Sequence, residues 1–156
     1  IIELFDLVPI YTRVDIVELG VEAGSWGQLA DAAGKLREAV FVNEQKVPRE
    51  LEIDGRDPGC RHVLARGPDG TPIGTGRLLP DGHIGRMAVA AAWRGQGVGR
   101  ALLERLLEEA SILGMTGLAL NAQTTASDFY RRFGFVAEGA EFIEAGLPHQ
   151  AMRRSA

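Results

Sequence analysis

The segment from Ala91 to Leu107, AAWRGQGVGRALLERLL, places three glycines within five residues directly before the most regular helical pattern of the chain. Apolar residues recur at helical spacing over Val98–Leu113, and Gly114 follows as a stop signal. Helices are commonly capped at their first turn by Ser, Thr, Asp or Asn, so the helix itself does not need glycine there. The turn therefore predicts a position where bare backbone approaches another group closely.

Apolar runs on both sides of this turn predict a mixed sheet. Three β-rich runs, CRHVLAR, PIGTGRLLP and His83–Ala90, are separated by the turns GPDGT and PDG, which predicts three antiparallel strands in sequence. The helix then leads to a further apolar strand, GLALNAQ, and such a helical connection joins neighbouring parallel strands. A short helix in ASDFYRRF and two last strands around Gly146 and Pro148 follow. This order indicates an α/β or α+β chain whose mixed sheet is flanked by helices.

The first third of the sequence predicts a strand, two short helices and a long loop. The run RVDIVEL, Arg13–Leu19, alternates as a strand does, and Trp26–Val42 carries apolar residues near helical spacing with Gly34 as an interruption or cap. Residues 43–60, NEQKVPRELEIDGRDPGC, are polar, acidic and interrupted by Pro and Gly, which favours a loop. We expect an N-terminal extension or edge segment at 1–12 and one domain over 13–156.

Charge and cysteine content exclude several function classes. The 156 residues carry a formal net charge of −4, whereas proteins that bind nucleic acid broadly show a basic excess. Cys60 is the only cysteine, so no internal disulfide can form. The first residues are acidic rather than a basic leader, and no apolar run approaches the length of a membrane span. We therefore expect a cytoplasmic protein with no nucleic-acid partner and no membrane partner.

The place of the glycine turn, between a strand and a helix, predicts an anion site. Backbone N–H groups and the positive end of the helix dipole converge there, and Arg94 and Arg100 add positive charge on either side. The turn lacks the Gly-Lys-Ser/Thr ending of a Walker loop, and Arg100 stands where a dinucleotide fingerprint needs glycine. The turn therefore predicts a phosphate ligand outside these two nucleotide-binding folds.

Two motifs carry a resemblance to a known family. MAVAAAWRGQGVGRALLERL resembles the acetyl-CoA binding motif of the GNAT superfamily of N-acetyltransferases, in which Arg or Gln is followed by spaced glycines; Arg94, Gly97 and Gly99 fill that pattern. ASDFYRRFGF resembles the last motif of the same superfamily. The segments REAVFVNEQKVPRELEIDGRD and FIEAGLPHQAM resemble a bacterial subgroup of small acetyltransferases, so the resemblance covers about Arg13–Met152.

The resemblance implies a donor site and a fold. The fold would be a central, mostly antiparallel sheet that splays at the cofactor strand. Main-chain groups of that strand, from Met87 to Val89, would pair with pantetheine and polarise the thioester. The CoA pyrophosphate would lie on the turn residues Arg94, Gly95, Gln96, Gly97, Val98, Gly99 and Arg100. Gln123 stands where many members have an Asn that contacts the pantetheine arm, and the neighbouring Asn121 would share that contact.

Catalytic groups follow from the resemblance and from what amide formation needs. Tyr130 occupies the position at which many members place a hydroxyl near the CoA sulfur, where it would protonate the leaving thiolate. The amine must lose a proton, and the candidate bases are Glu44, Glu52, Asp54, Asp57, His62 and His149. Glu44 is preferred because it closes a helical run, and His149 is second. No metal is required.

An acidic loop on the acceptor side would attract a cationic amine. Glu44, Asp54 and His62 are the predicted substrate contacts there, and Arg77 either binds a substrate carboxylate or phosphate or pairs with the acidic loop. We therefore predict an N-acetyltransferase that moves an acetyl group from acetyl-CoA to a primary amine of a small molecule. The alternatives are a non-catalytic acyl-CoA sensor, an enzyme of the same fold with a longer acyl donor, and a protein acceptor. Exchange of the two C-terminal strands would give a homodimer.

Overall fold

A computed structural model describes residues 20–155, so the predicted strand at Arg13–Leu19 and the segment 1–12 lie outside the described residues. Eight strands form one sheet in the order β1-β2-β3-β4-β5-β8-β6, with β7 paired to β8. The strands are β1 Val21–Ser25, β2 Arg61–Arg66, β3 Pro72–Leu78, β4 His83–Val89, β5 Gly117–Gln123, β6 Val136–Ala137, β7 Phe142–Glu144 and β8 Leu147–Ser155. The helices are α1 Trp26–Arg37, α2 Arg49–Glu52, α3 Val98–Ile112 and α4 Ser127–Arg131.

The sheet is mixed, and its parallel pair is short. Strands β2, β3 and β4 are antiparallel neighbours, as predicted, and α3 connects β4 to the parallel strand β5. Only His83 and Ile84 of β4 are paired with β5, opposite Ala119 and Leu120. Beyond Ile84 the two strands are no longer paired, which confirms the splayed, mostly antiparallel sheet flanked by helices.

The first helix runs through the predicted break. Ser25 and Gln28 form a reciprocal capping box at the start of α1. The prediction of two short helices divided at Gly34 is wrong, because the Gly34 carbonyl accepts a hydrogen bond from the Glu38 N–H within a continuous helix. The geometry changes only at Glu38–Glu44, which is a π-helical segment. Segments of this kind are rare and often lie at functional sites.

Two further boundaries differ from the sequence-based prediction. The region 43–60 is not one irregular loop, because it contains α2 and a 3₁₀ turn at Asp57–Gly59. The C-terminal part forms three strands rather than two, since β6 pairs with β8 at Val136 and Ala137 before the β7–β8 hairpin begins. Both differences depend on contacts with residues distant in the sequence, which local patterns do not record.

Helices cover both faces of the sheet. Met87 and Val89 pack with α3 residues in the main core, whereas Ala88 packs on the opposite side against Val40 and Phe41 of the π-helical segment. Two glycines of β3 let α3 approach closely: a Cβ at Gly74 would lie 2.7 Å from side-chain atoms of Val98 and Leu102, and one at Gly76 would lie 3.0 Å from Leu106. Among the described residues, no helix is long and apolar enough to cross a membrane.

Candidate active site

The opening between β4 and β5 begins at a β-bulge. Thr75 pairs with Ala88 and Arg77 with Gly85, so Arg86 and Met87 on β4 stand opposite the single residue Gly76 on β3. Arg86 has a φ of 50°, a left-handed conformation that non-glycine residues seldom adopt. Beyond the bulge Ala88 and Val89 pair again with β3, whereas the edge of Met87–Val89 that faces β5 has no strand partner among the described residues, at the place where the sequence predicts contact with pantetheine.

The glycine turn follows β4 after a 3₁₀ turn at Ala91–Trp93. Gly95 and Gly97 have φ values of 79° and 87°, so the backbone there takes the left-handed form that glycine adopts without strain. Gly97 is the N-cap of α3, and the first helical hydrogen bond runs from the Ala101 N–H to its carbonyl at 3.1 Å. The N–H groups of residues 98–100 precede that bond. The turn therefore has the geometry of an anion site at a helix N-terminus.

The Arg94 side chain links the glycine turn to the end of β4 and to the π-helical segment. Its Nε donates to the Val89 carbonyl at 3.0 Å, and its two terminal nitrogens donate to the Glu44 carboxylate at 2.6 and 2.8 Å. The hydrogen bond from Arg94 lowers the pKa of Glu44, so that carboxylate is a weak proton acceptor at neutral pH. Arg100 forms an exposed ion pair with Glu104, and the side-chain amide of Gln96 donates to the Ala92 carbonyl.

Several polar side chains lie where β5 ends and β8 begins, beside the C-terminal end of the π-helical segment. Gln123 and His149 are cross-strand partners, and the Gln123 amide donates to Gln45 at 3.3 Å. His149 is fully buried, and its Nδ1 donates to the Leu147 carbonyl at 2.7 Å, which makes Nε2 the ring nitrogen that can accept a proton. Asn121, two residues before Gln123 on β5, pairs with Ala151.

Tyr130 lies in the main hydrophobic core. It is fully buried on α4, and its ring meets Phe129 and Phe135 edge-on, with centroids 5.1 and 6.0 Å away. Both neighbours are aromatic, so the ring is held in one orientation by packing.

A cluster of three arginines and three carboxylates lies at the C-terminal end of α1, and all of its members except Asp54 are buried. Arg37 donates to Glu52 at 2.8 Å and to Asp57 at 2.7 Å. Arg77 donates to Asp54 at 2.6 Å and to Asp57 at 3.1 Å, and Arg86 donates to Glu52 at 2.9 Å. We call these residues the ion-pair cluster: Arg37, Arg77, Arg86, Glu52, Asp54 and Asp57.

The ion-pair cluster overturns the idea of a free acidic loop. Burial opposes the charged form of Asp57, but hydrogen bonds from Arg37 and Arg77 outweigh it and lower the pKa. The pKa of Asp54 is also lowered, against its burial, by Arg77 and the Arg56 N–H. Since each of these carboxylates has an arginine partner, Glu52, Asp54 and Asp57 offer no uncompensated negative charge to a cationic substrate.

Three predicted substrate contacts lie in or against this cluster. Arg77 takes the second of its predicted roles, because it is fully buried and pairs with the acidic segment. Asp54 is its partner. His62 is buried against the Trp26 ring, its Nε2 lies 3.0 Å from the Asp57 carbonyl, and burial lowers its pKa. The structure does not bring these residues together with Glu44, which lies at the glycine turn.

Arg37 and Arg86 were missed by reasoning from the sequence. The available signal was a single arginine inside an apolar strand, as in IGRMAV, because an arginine there is buried only when carboxylates pair with it.

Beside the cluster lies a cavity of about 310 Å³, which Trp26, Arg37, Val42, Glu52, Ile53 and Pro58 help to line. This mixture of apolar walls and a few polar groups is typical of small-molecule pockets. In the described part of the chain, no group of three or more His, Cys, Asp or Glu residues is placed to hold a metal ion.

Known proteins are similar to this chain in sequence and in fold. A family model for the acetyltransferase (GNAT) domain matches residues 28–156. The chain belongs to the GNAT acetyltransferase family. The uncharacterized N-acetyltransferase YjcF of Bacillus subtilis is 40% identical over 132 residues, which cover 81% of this chain and 92% of the relative.

Solved structures agree with this assignment. A crystal structure of an acyl-CoA N-acyltransferase from Pseudomonas aeruginosa superposes with a TM-score of 0.79 at 37% identity, covering 87% of this GNAT chain and 99% of the other. ElaA from Escherichia coli superposes with a TM-score of 0.78 at 31% identity, covering 86% and 98%. The GNAT assignment supports an acyltransferase with N-acetyltransferase activity in general.

Proposed function

We propose that this GNAT protein transfers an acetyl group from acetyl-CoA to a primary amine of a small molecule. The observation that carries the proposal is the separation of β4 from β5 after Ile84, on the strand that leads to the left-handed glycine turn at the start of α3. The gap between β4 and β5 fits an extended arm, and the glycine turn fits the phosphate group at the end of that arm. The N-terminal end of α3, where the helix dipole is positive, would receive the pyrophosphate, and main-chain groups of Met87–Val89 would pair with the pantetheine.

The reaction needs a nucleophile, an oxyanion donor and two proton transfers. The amine nitrogen attacks the thioester carbonyl, a C–N bond forms, and the C–S bond breaks to release a thiolate. A main-chain N–H of the β4 bulge region would stabilise the developing oxyanion. Tyr130 would give its proton to the thiolate.

The two predicted bases take different roles in this proposal. Glu44 would hold Arg94 against the end of β4, because its lowered pKa makes it a poor base. His149 would accept the proton of the amine at Nε2, directly or through water, since Nδ1 is committed to Leu147. Gln123 would contact the pantetheine arm from the same end of β5.

Release of free thiol from acetyl-CoA in the presence of an amine panel tests the proposal. The panel contains polyamines, amino sugars, amino acids and a lysine peptide, and we expect release with one class of small amine. The Gly97→Trp variant is the control, since it should bind no acetyl-CoA. Calorimetric binding of acetyl-CoA with no thiol release for any amine would contradict the enzyme and favour a non-catalytic acyl-CoA-binding protein. Release with the lysine peptide alone would contradict the small-molecule acceptor.

Replacing Tyr130 by Phe tests the proposed acid. We expect kcat to fall by about 100-fold, because a positioned general acid contributes at least this much in typical enzymes, while the dissociation constant of acetyl-CoA stays the same. The measurement is steady-state kinetics beside calorimetry. Phe129→Leu is the matched control, since it disturbs the packing of the same ring without removing a hydroxyl. Normal turnover in Tyr130→Phe would remove Tyr130 from the mechanism.

A further inference from the structure

Arg86 has a strained backbone conformation, and its side chain donates several hydrogen bonds. Its φ of 50° lies in the left-handed region, where a non-glycine residue is strained and persists only because its surroundings impose it. The guanidinium of Arg86 supplies that constraint. Its Nε donates to the Glu52 carboxylate at 2.9 Å, and its Nη2 donates to the carbonyls of Leu51 and Glu52, each at 3.1 Å.

This anchor lies where β4 leaves β5. Pairing with β5 ends at Ile84, two residues before Arg86, and the bulge occupies Arg86 and Met87. A regular strand would continue the register and place residue 86 opposite Ala122. The Arg86 conformation therefore accompanies the change of direction that opens the sheet and sets the path of Met87–Val89.

The acceptor of the Arg86 hydrogen bonds is itself fixed from the other side. Glu52 is buried and also receives hydrogen bonds from Arg37 on α1, which in turn pairs with Asp57. Segment 51–54 is thus clamped between α1 and β4. A planar guanidinium is needed for this arrangement, because it donates to a carboxylate and to two carbonyls at once, whereas an ammonium is a compact point charge.

We propose that Arg86 is a positioning residue for acyl transfer, whose guanidinium holds the β4 bulge against Glu52 and the Leu51 and Glu52 carbonyls. This inference rests on the proposed function and adds a residue to it. Arg86 has no direct contact with the reacting atoms in this role. It fixes the main chain of Met87–Val89, which would pair with the pantetheine arm and stabilise the oxyanion.

Arg86→Gly tests the anchor, because glycine accepts a φ of 50° without strain and removes only the side chain. We expect kcat to fall by on the order of 100-fold, the usual effect of misplacing reacting groups by about 1 Å. We also compare the dissociation constants of acetyl-CoA and of 3′-phospho-ADP, the part of CoA without the pantetheine arm. The variant should keep its affinity for 3′-phospho-ADP and lose most of the additional affinity that the arm provides in the wild type.

The outcomes separate this inference from the proposed function. Failure of the wild type to bind acetyl-CoA or to release thiol would contradict the proposed function. Wild-type activity together with an unchanged kcat and an unchanged contribution of the arm in Arg86→Gly would overturn the role of Arg86. Arg66→Met is the control for loss of a strand arginine, since the pair of Arg66 with Glu22 is exposed on β2.

A conservative variant keeps the test decisive if Arg86→Gly does not fold. Arg86→Lys retains a charge next to Glu52 but cannot reproduce the hydrogen bonds to the carboxylate and both carbonyls. We expect an intermediate kcat, about 10-fold below the wild type, with 3′-phospho-ADP affinity unchanged. A kcat and an arm contribution equal to those of the wild type in Arg86→Lys would show that the guanidinium does not hold the bulge.

Discussion

Gly97→Val is expected to raise the dissociation constant of acetyl-CoA by on the order of 100-fold or more. Gly97 has a φ of 87° and precedes the first turn of α3, so a branched side chain strains the backbone and stands at the proposed pyrophosphate position. Loss of two charge-assisted hydrogen bonds costs about 3 kcal/mol or more, which corresponds to this change in affinity. Isothermal titration calorimetry with acetyl-CoA measures it.

Gly114→Val is the matched control, because it lies just beyond the other end of α3. Gly114 has a φ of 72°, and a Cβ built on it meets no atom within 4 Å. Both variants therefore carry the backbone cost of a left-handed β-branched residue. Equal affinities of the two variants for acetyl-CoA would contradict an anion site at the glycine turn, whereas a loss confined to Gly97→Val supports it.

Arg37→Met is expected to lower the free energy of unfolding by about 3–5 kcal/mol at pH 7, as is typical when one partner of a buried ion pair is removed. Arg37 is almost fully buried and donates to both Glu52 and Asp57. Its removal leaves two buried carboxylates with fewer donors. Urea unfolding at constant pH gives the difference, and Arg66→Met, whose ion pair is exposed, should change the stability by no more than about 1 kcal/mol.

The same variant should alter the acid dependence of stability. The folded pKa of Asp57 lies below its ordinary value of 3.8, since Arg37 and Arg77 together outweigh the effect of burial. Such a group stabilises the fold above pH 3.8, and that contribution is lost as the pH falls through the folded pKa. The wild type should therefore lose stability steeply below about pH 3.8, and Arg37→Met should lose less over the same range. Parallel curves for the two proteins would mean that Arg37 does not set the charge state of this cluster.

Local patterns predicted the donor side of the fold well. The period of α3, the glycine turn before it and the hairpin turns between β2, β3 and β4 are each recorded within a few neighbouring residues. The Gly34 break was wrong because packing of α1 on the sheet tolerates a glycine whose helix propensity alone is unfavourable by about 1 kcal/mol.

Long-range contacts explain what could not be predicted on the acceptor side. Arg37 and Glu52 are fifteen residues apart, and Arg86 reaches Glu52 across thirty-four. The sequence shows which residues are charged but not which carboxylates are paired with arginines. Read from the sequence alone, the acidic segment therefore resembles a surface of unpaired carboxylates. The positive φ of Arg86 is equally hidden, because the residue type favours no such conformation and only the partners in the folded chain impose it.

The Val98 side chain at the start of α3 occupies the space in which a side chain at Gly74 on β3 would lie. A Cβ on Gly74 would come within 2.7 Å of a Val98 methyl group, and both residues are buried, so neither can give way to solvent. Across homologous sequences, a larger residue at position 74 should therefore be accompanied by a smaller one at position 98 or 102. Since Val98 follows Gly97 directly, the lack of a side chain at Gly74 on β3 sets how closely the glycine turn approaches the sheet.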